Sequence, residues 1–301
     1  MTDEDSPYRL IVWPGIRVEV PPIEVPEVHL LGDDTLVFGY PMKGMGKATL
    51  EPDFHLREFQ DLDASDPQQV LAFCRQWGPV GDEECSELPS DSRFREEALA
   101  ADRRMPKQWR PPAGDAPWDH SLGEKLGFGF GLILGVHSVG RVAAYQTVLA
   151  RAVDVWLDIV NVTPLEEIEK KWRAQDELLY AALEQLFPKL QSRLTVYQVA
   201  ESLSSLLNPA LAPFRVHLEP YDSRELPKPN VYQAACLQFT NDIVENLPYR
   251  PCANETCGKL FSRQRGRAQS AQHRVKGVRY CSEKCARAQA QREVRRRKRQ
   301  P

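Results

Sequence analysis

The sequence predicts an α+β chain. A mixed, mainly helical domain with a short β-rich start occupies residues 1–249, and a small cysteine-bearing module with a basic C-terminal helix occupies residues 250–301. Three observations carry that expectation. Short β-branched and aromatic runs fill residues 8–40, apolar stripes at helical spacing dominate residues 66–247, and four of the seven cysteines fall in two close pairs beyond residue 250. A chain of 301 residues is long enough to bury a substantial core and one smaller unit beside it.

The β-rich start reads as YRLIVW, IRVEV and VHLLGDDTLVFGY, punctuated by Pro14, Gly15, Pro21, Pro22 and a turn at Gly32, Asp33 and Asp34. Prolines at this density suit edge strands. KGMGKAT, residues 43–49, has the flavour of a phosphate loop, but Pro41 stands where a Walker motif needs its first glycine, so the segment is read as an ordinary loop. From Asp66 the punctuation changes to that of a helix: Asp66 as N-cap, Pro67 at the first helical position, Gly78 as the stop, and Val70, Leu71, Phe73, Cys74 and Trp77 facing inward. Residues 80–120 are charged and proline-rich, with RPPAGDAPWD the best connector in the chain. GFGFGLILG, residues 127–135, fails as a dinucleotide fingerprint in spacing and context, and close backbone packing explains its glycines better.

Helical stripes follow. Tyr145, Val148, Leu149, Ala152, Trp156 and Ile159 form one, and Leu165, Ile168, Trp172, Leu179, Leu183 and Leu186 form another after the start signal Thr163-Pro164. Val196, Val199, Leu203 and Leu206 give a third. FRVHLE, residues 214–219, alternates like a strand, and a last helix follows Asn230 with Tyr232, Cys236, Phe239 and Ile243 inward. The histidines are scattered without an i, i+4 metal pair, and no nucleophile–base pattern emerges, so an enzyme is not expected. No apolar run reaches the roughly eighteen residues of a membrane span.

Cys252 and Cys257 are separated by four residues, and Cys281 and Cys285 by three. Two thiolate pairs, one on a turn and one at the start of a helix, supply the tetrahedron of soft ligands that Zn²⁺ requires. Four cysteines close the shell, which points to a structural rather than a catalytic ion. His273 could stand in for a cysteine, but it lies in the polar middle of the insert between the pairs. Disulfides are not expected, because the chain opens MTDEDS, without the basic start and apolar run of an export signal. Cys74, Cys85 and Cys236 read as reduced thiols of a cytoplasmic protein.

The CxxxxC turn, the hairpin after it and a CS-type pair opening a basic helix resemble the treble-clef finger of the CGNR zinc-finger family, whose members carry an ABATE-like helical N-terminal domain and are regarded as transcription regulators. In this chain CSEKC is one residue tighter than the family's second pair, CARAQ stands in place of the CGNR signature, and the insert between the pairs is long. The resemblance implies a treble-clef zinc finger on Cys252, Cys257, Cys281 and Cys285 and a DNA-binding bacterial regulator.

Charge points the same way. The net charge of −3 conceals two unequal parts: residues 250–301 carry 16 Lys and Arg against 3 Asp and Glu, leaving 23 against 39 for the first 249 residues. Such asymmetry is the footprint of an anion-binding module on an acidic body. On a helix from Ser282 onward, Ala286, Ala290 and Val294 are expected to line one side, resting on the finger. Arg292, Arg295, Arg296 and Arg299 gather on the other side with Lys298 beside them. Arg263, Arg265 and Arg267 add a second basic cluster in the insert. These eight residues are the candidate contacts to duplex DNA, while the N-terminal domain is a candidate for a small-molecule effector or partner protein. The competing readings are a zinc-stabilised protein-interaction module, RNA binding through the same arginines, and a solvated tail.

Overall fold

The computed structural model describes residues 13, 15–82, 85–89, 93–105, 120–175, 195–214, 228–262 and 278–299. The chain is α+β, with helices forming most of the core and, among the described residues, three small antiparallel sheets. Strand β1, Ile23–Val25, pairs with β4, Gly46–Ala48; β2, Glu27–Leu31, and β3, Thr35–Gly39, form a hairpin. Strand β5, Ile133–Ser138, adds to the far side of β3. The IRVEV run is not a strand. Its backbone is held by a side chain instead: Val18 N–H donates to Asn241 Oδ1 at 2.9 Å, and Asn241 Nδ2 donates to Val18 O at 2.8 Å. The KGMGKAT segment supplies β4 rather than remaining a loop.

Helix α1 runs Pro67–Trp77 between the expected caps. Asp66 accepts from the Gln68 and Gln69 amides, and Gly78 takes φ +101°. A Cβ at Gly78 would also lie 2.8 Å from the Glu24 carbonyl, so the stop needs glycine twice over. Helices α2, Arg93–Arg104, and α3, His120–Lys125, lie in the stretch whose sequence carried no clear pattern. The glycine-rich run does pack closely, since a Cβ at Gly129 would come 3.2 Å from the Tyr40 and Pro41 carbonyls. It leads into β5, a strand that its composition conceals.

Helix α4, Arg141–Val160, buries Tyr145, Val148, Leu149, Ala152, Val155, Trp156 and Ile159 and packs against α2, against β5, and against α6 and α7 described next. Helix α5 runs Leu165–Gln175, with Ile168 and Trp172 inward; Leu179, Leu183 and Leu186 lie outside the described residues. Helices α6, Val196–Leu207, and α7, Val231–Val244, each open with a full capping box, Thr195 with Gln198 and Asn230 with Gln233. Phe214 closes a 3-10 turn rather than opening a strand, and residues 215–219 lie outside the described set. Helix α7 is buried on nearly every face, which makes it the central post of the body. No helix among the described residues is long and apolar enough to cross a membrane.

A buried carboxyl group sits at the start of that post. Glu87, fully buried, accepts from the Asp82 N–H at 2.6 Å, from the Tyr145 hydroxyl at 3.1 Å and from Asn230 Nδ2. Burial, then the charge of Asp82, pushes its carboxyl up to about 7. Arg141, on the other side of Tyr145, pairs with Asp102 at 2.9 Å.

Candidate metal centre

The C-terminal module begins with a two-residue hairpin, β6, Arg250–Pro251, against β7, Leu260–Phe261. Between these strands the chain makes a tight knuckle. Cys252 N–H donates to Lys259 O at 2.9 Å, and Cys257 N–H to Asn254 O at 2.8 Å. Gly258 then turns away at φ +60°, where a Cβ would meet no atom and only the backbone angle asks for glycine. The buried Asn254 side chain shapes the turn by accepting from the Thr256 N–H at 3.2 Å. The second cysteine pair arrives when Ala253 N–H donates to Arg279 O at 2.8 Å, drawing residues 279–281 alongside. Helix α8, Glu283–Arg299, starts there, with Ser282 Oγ accepting from the Cys285 N–H at 3.2 Å as an N-cap does.

The four sulfurs of Cys252, Cys257, Cys281 and Cys285 therefore converge, all within 4.8 Å of one another. Cys257 Sγ lies 3.7 Å and Cys285 Sγ 3.5 Å from Cys281 Sγ. A Zn–S bond of about 2.3 Å implies a tetrahedral edge of about 3.8 Å, whereas a disulfide would bring two sulfurs to about 2.05 Å. All four are free thiols, and Phe261, Val278 and Tyr280 pack around them. The Cys281 N–H points at Cys252 Sγ from 3.4 Å, the kind of donor that steadies a thiolate. Electrostatically the cluster suits a cation. Burial and the neighbouring sulfurs push the Cys281 thiol well up, and burial raises Cys257. Burial opposes Cys285 too, yet hydrogen bonds with Ser282, Asn254 and its neighbouring thiols bring it down to about 7. Four thiolates at these separations repel one another unless a multivalent cation lies between them. The cluster can hold a metal ion.

The module is fastened to the body on two sides. Arg57, paired with the buried Asp53 at 2.7 Å, donates to the Cys281 carbonyl at 2.7 Å. On the other side Asp242, near the end of α7, accepts from the Tyr249 hydroxyl at 2.9 Å and from Ser262 Oγ at 3.3 Å. His55 Nε2 lies 2.8 Å from that same hydroxyl. An ion pair between Lys259 and Asp61 adds an exposed contact, and Leu260 packs on the main core. Contacts thus cross the expected division at residues 249 and 250.

The structure rearranges the expected faces of the basic helix. Ala290 and Val294 are exposed, Val294 by 51%, and Ala286 is half-buried; the stripe that meets the knuckle is Cys285, Gln289, Arg292 and Arg296. These recur at i, i+4, i+7 and i+11 and so share one side. Arg292 donates to Asn254 Oδ1 at 2.5 Å and to Thr256 Oγ1 at 2.6 Å. Arg296 grips Glu255 with both arms, at 2.8 and 2.6 Å, and Gln289 Nε2 donates to Glu255 at 2.9 Å. Apolar contact is replaced by this polar clamp because the knuckle presents Asn254, Glu255 and Thr256, whose acceptors match guanidinium forks. Arg292 and Arg296 are therefore engaged within the chain. Arg295, Arg297 and Lys298 are exposed; Arg297 was not among the expected contacts. The Arg299 side chain and Arg263, Arg265 and Arg267 lie outside the described residues, as does His273. The i, i+4, i+7, i+11 spacing from Cys285 was the signal available for the clamp, together with three acceptors between the first cysteine pair.

No protein-family model matches the chain, and no curated protein or solved structure matches it either.

Proposed function

We propose that the ion is zinc, that the module is a treble-clef-type finger, and that it fixes α8 as a cationic arm binding duplex DNA, as in a bacterial transcription regulator. The observation that carries the reading is the division of the helix: Arg292 and Arg296 anchor it on the knuckle, while Arg295, Arg297 and Lys298 are exposed within one turn. Closely spaced solvated cations repel one another and are relieved when phosphates displace their counterions. Thiolate ligands and a closed four-sulfur shell select zinc over harder cations and leave no open position for catalysis.

The test uses two variants of the full chain. Changing Arg295, Arg297 and Lys298 together to Gln leaves the knuckle interactions intact and should reduce the slope of log affinity against log salt by about 0.9 for each phosphate that is no longer neutralised. Changing Arg292 and Arg296 to Gln should instead loosen the helix from the knuckle, visible as faster amide exchange in α8. An unchanged slope in the triple variant overturns the nucleic-acid reading. Stronger binding to structured RNA than to duplex DNA at equal salt overturns the choice of DNA.

A further inference from the structure

The IRVEV segment leaves one edge of its backbone unused. Residues 15–22 run without helix, turn or bend along the C-terminal end of α7 and are seated on it at three points. A Cβ on Gly15 would come 3.0 Å from the Val244 side chain, Arg17 is ion-paired to Glu245 at 3.2 Å, and Asn241 holds Val18 by both its N–H and its carbonyl. In extended backbone successive residues turn these groups to opposite edges. Val18 directs its pair to α7, so Arg17 and Glu19 present theirs on the edge facing away. Those four groups have no hydrogen-bond partner among the described residues. Residues 15–19 are exposed throughout, Ile16 by 85% and Val18 by 41%. Such an edge is a template for another strand.

We propose that this edge pairs with the same edge of a second copy of the chain, antiparallel and two-fold, with Val18 on the axis. Charge selects that register. Arg17 and Glu19 carry the outward groups, and pairing them among themselves puts the two-fold at 17, 18 or 19. At 17 it sets Arg17 against Arg17. At 19 it sets Glu19 against Glu19 and asks for a donor from Pro21, which has no N–H. With Val18 on the axis, Arg17 of each copy lies opposite Glu19 of the other, giving four main-chain hydrogen bonds and two opposite-charge pairs on one face. The other face sets Val18 beside Val18 and Ile16 beside Val20, so exposed apolar side chains meet as well. A contact of this isologous kind closes at two copies rather than growing into a fibre. The inference stands independently of the nucleic-acid reading, because the residues that carry it lie wholly in the body of the protein.

Two-stranded pairings are marginal in water, so the association is weak and is sought at high concentration. Sedimentation equilibrium of the full chain, freed of nucleic acid and at matched metal content, is followed from about 5 to about 500 µM, a range that resolves contacts of micromolar strength. A reversible equilibrium between monomer and dimer is the expected result. Arg17→Glu and Glu19→Arg each turn both symmetry-related pairs repulsive and should weaken the dimer about tenfold or more. An equimolar mixture of the two variants restores opposite charges at both positions and should associate as the parent does. Damage to the fold could not produce that recovery, and circular dichroism checks each variant separately. A parent that stays monomeric at about 500 µM overturns the inference. So does undiminished association of either folded variant alone, which places the contact elsewhere, or a mixture no more associated than its components.

Discussion

Replacing Glu87 by Gln should make the protein more stable in mild alkali and change it little in mild acid. The cause is a single proton. In the folded chain burial holds the Glu87 carboxyl up to about 7, against 4.5 for a solvated one, so the native state binds that proton more tightly than the unfolded state does. The stabilisation this gives is complete below about pH 4.5 and is lost as pH rises through about 7. The gap corresponds to about 3 kcal/mol at 1.36 kcal/mol per pH unit. A glutamine keeps the Oε1 acceptor for the Asp82 N–H and Asn230 and turns an amide N–H toward the Tyr145 hydroxyl, which can accept as well as donate. Some charge-assisted hydrogen bonding is surrendered, so a net gain of about 1–3 kcal/mol is expected near pH 8. Urea unfolding of both proteins at matched metal content between about pH 5 and pH 8 reads it directly. Other titrating groups cancel in the difference. Buried His137, whose burial holds it well below the usual histidine range, contributes stability that is lost as pH falls, the opposite sign, but equally in both proteins. A difference that is flat across this range, or a Gln variant weaker than the parent at about pH 8, refutes the assignment of that proton to Glu87.

Two further outcomes follow from the module and its seating. Cys281→Ser should release the metal, read by elemental analysis, while the circular dichroism of the body helices persists; full metal content in that variant would remove Cys281 from the ligand set. Tyr249→Phe deletes the hydroxyl shared by Asp242 and His55 and should lower stability by about 1–3 kcal/mol in thermal or urea unfolding, because it strips a donor from a buried carboxylate. An unchanged midpoint would mean that this hydroxyl does not seat the module.

What the sequence made legible was local. Asp66-Pro67 and Gly78 bracket α1 because caps act within a turn of themselves, and the spacing of the four cysteines announced the cluster they form. Non-local partners hid the rest. IRVEV has the pattern of a strand, but its backbone partner is a side chain 223 residues away. β5 was concealed because Gly135 sits inside it and the run before it alternates glycine with phenylalanine rather than polar with apolar residues. α2 was missed because Phe94, Ala98 and Ala101 are its only buried residues in an otherwise polar segment. The arginines of α8 look alike in sequence. Which of them is engaged depends on where Asn254, Glu255 and Thr256 stand, and that is settled by the folding of the knuckle.

That clamp bears on aim as well as on adhesion. The 17 residues of α8 span about 25 Å, so the helix is a long arm mounted at one end on a small base. Tilting the base by about 5° would carry the tip about 2 Å sideways, comparable with the distance over which a hydrogen bond is made or broken. Arg292 and Arg296 grip the knuckle progressively farther along the arm, and a support placed outboard resists tilt better than one at the pivot. The turn that carries their acceptors begins and ends in two of the four sulfurs. A disturbance at the base would thus leave the number and charge of the outer cations untouched and yet point them somewhere else.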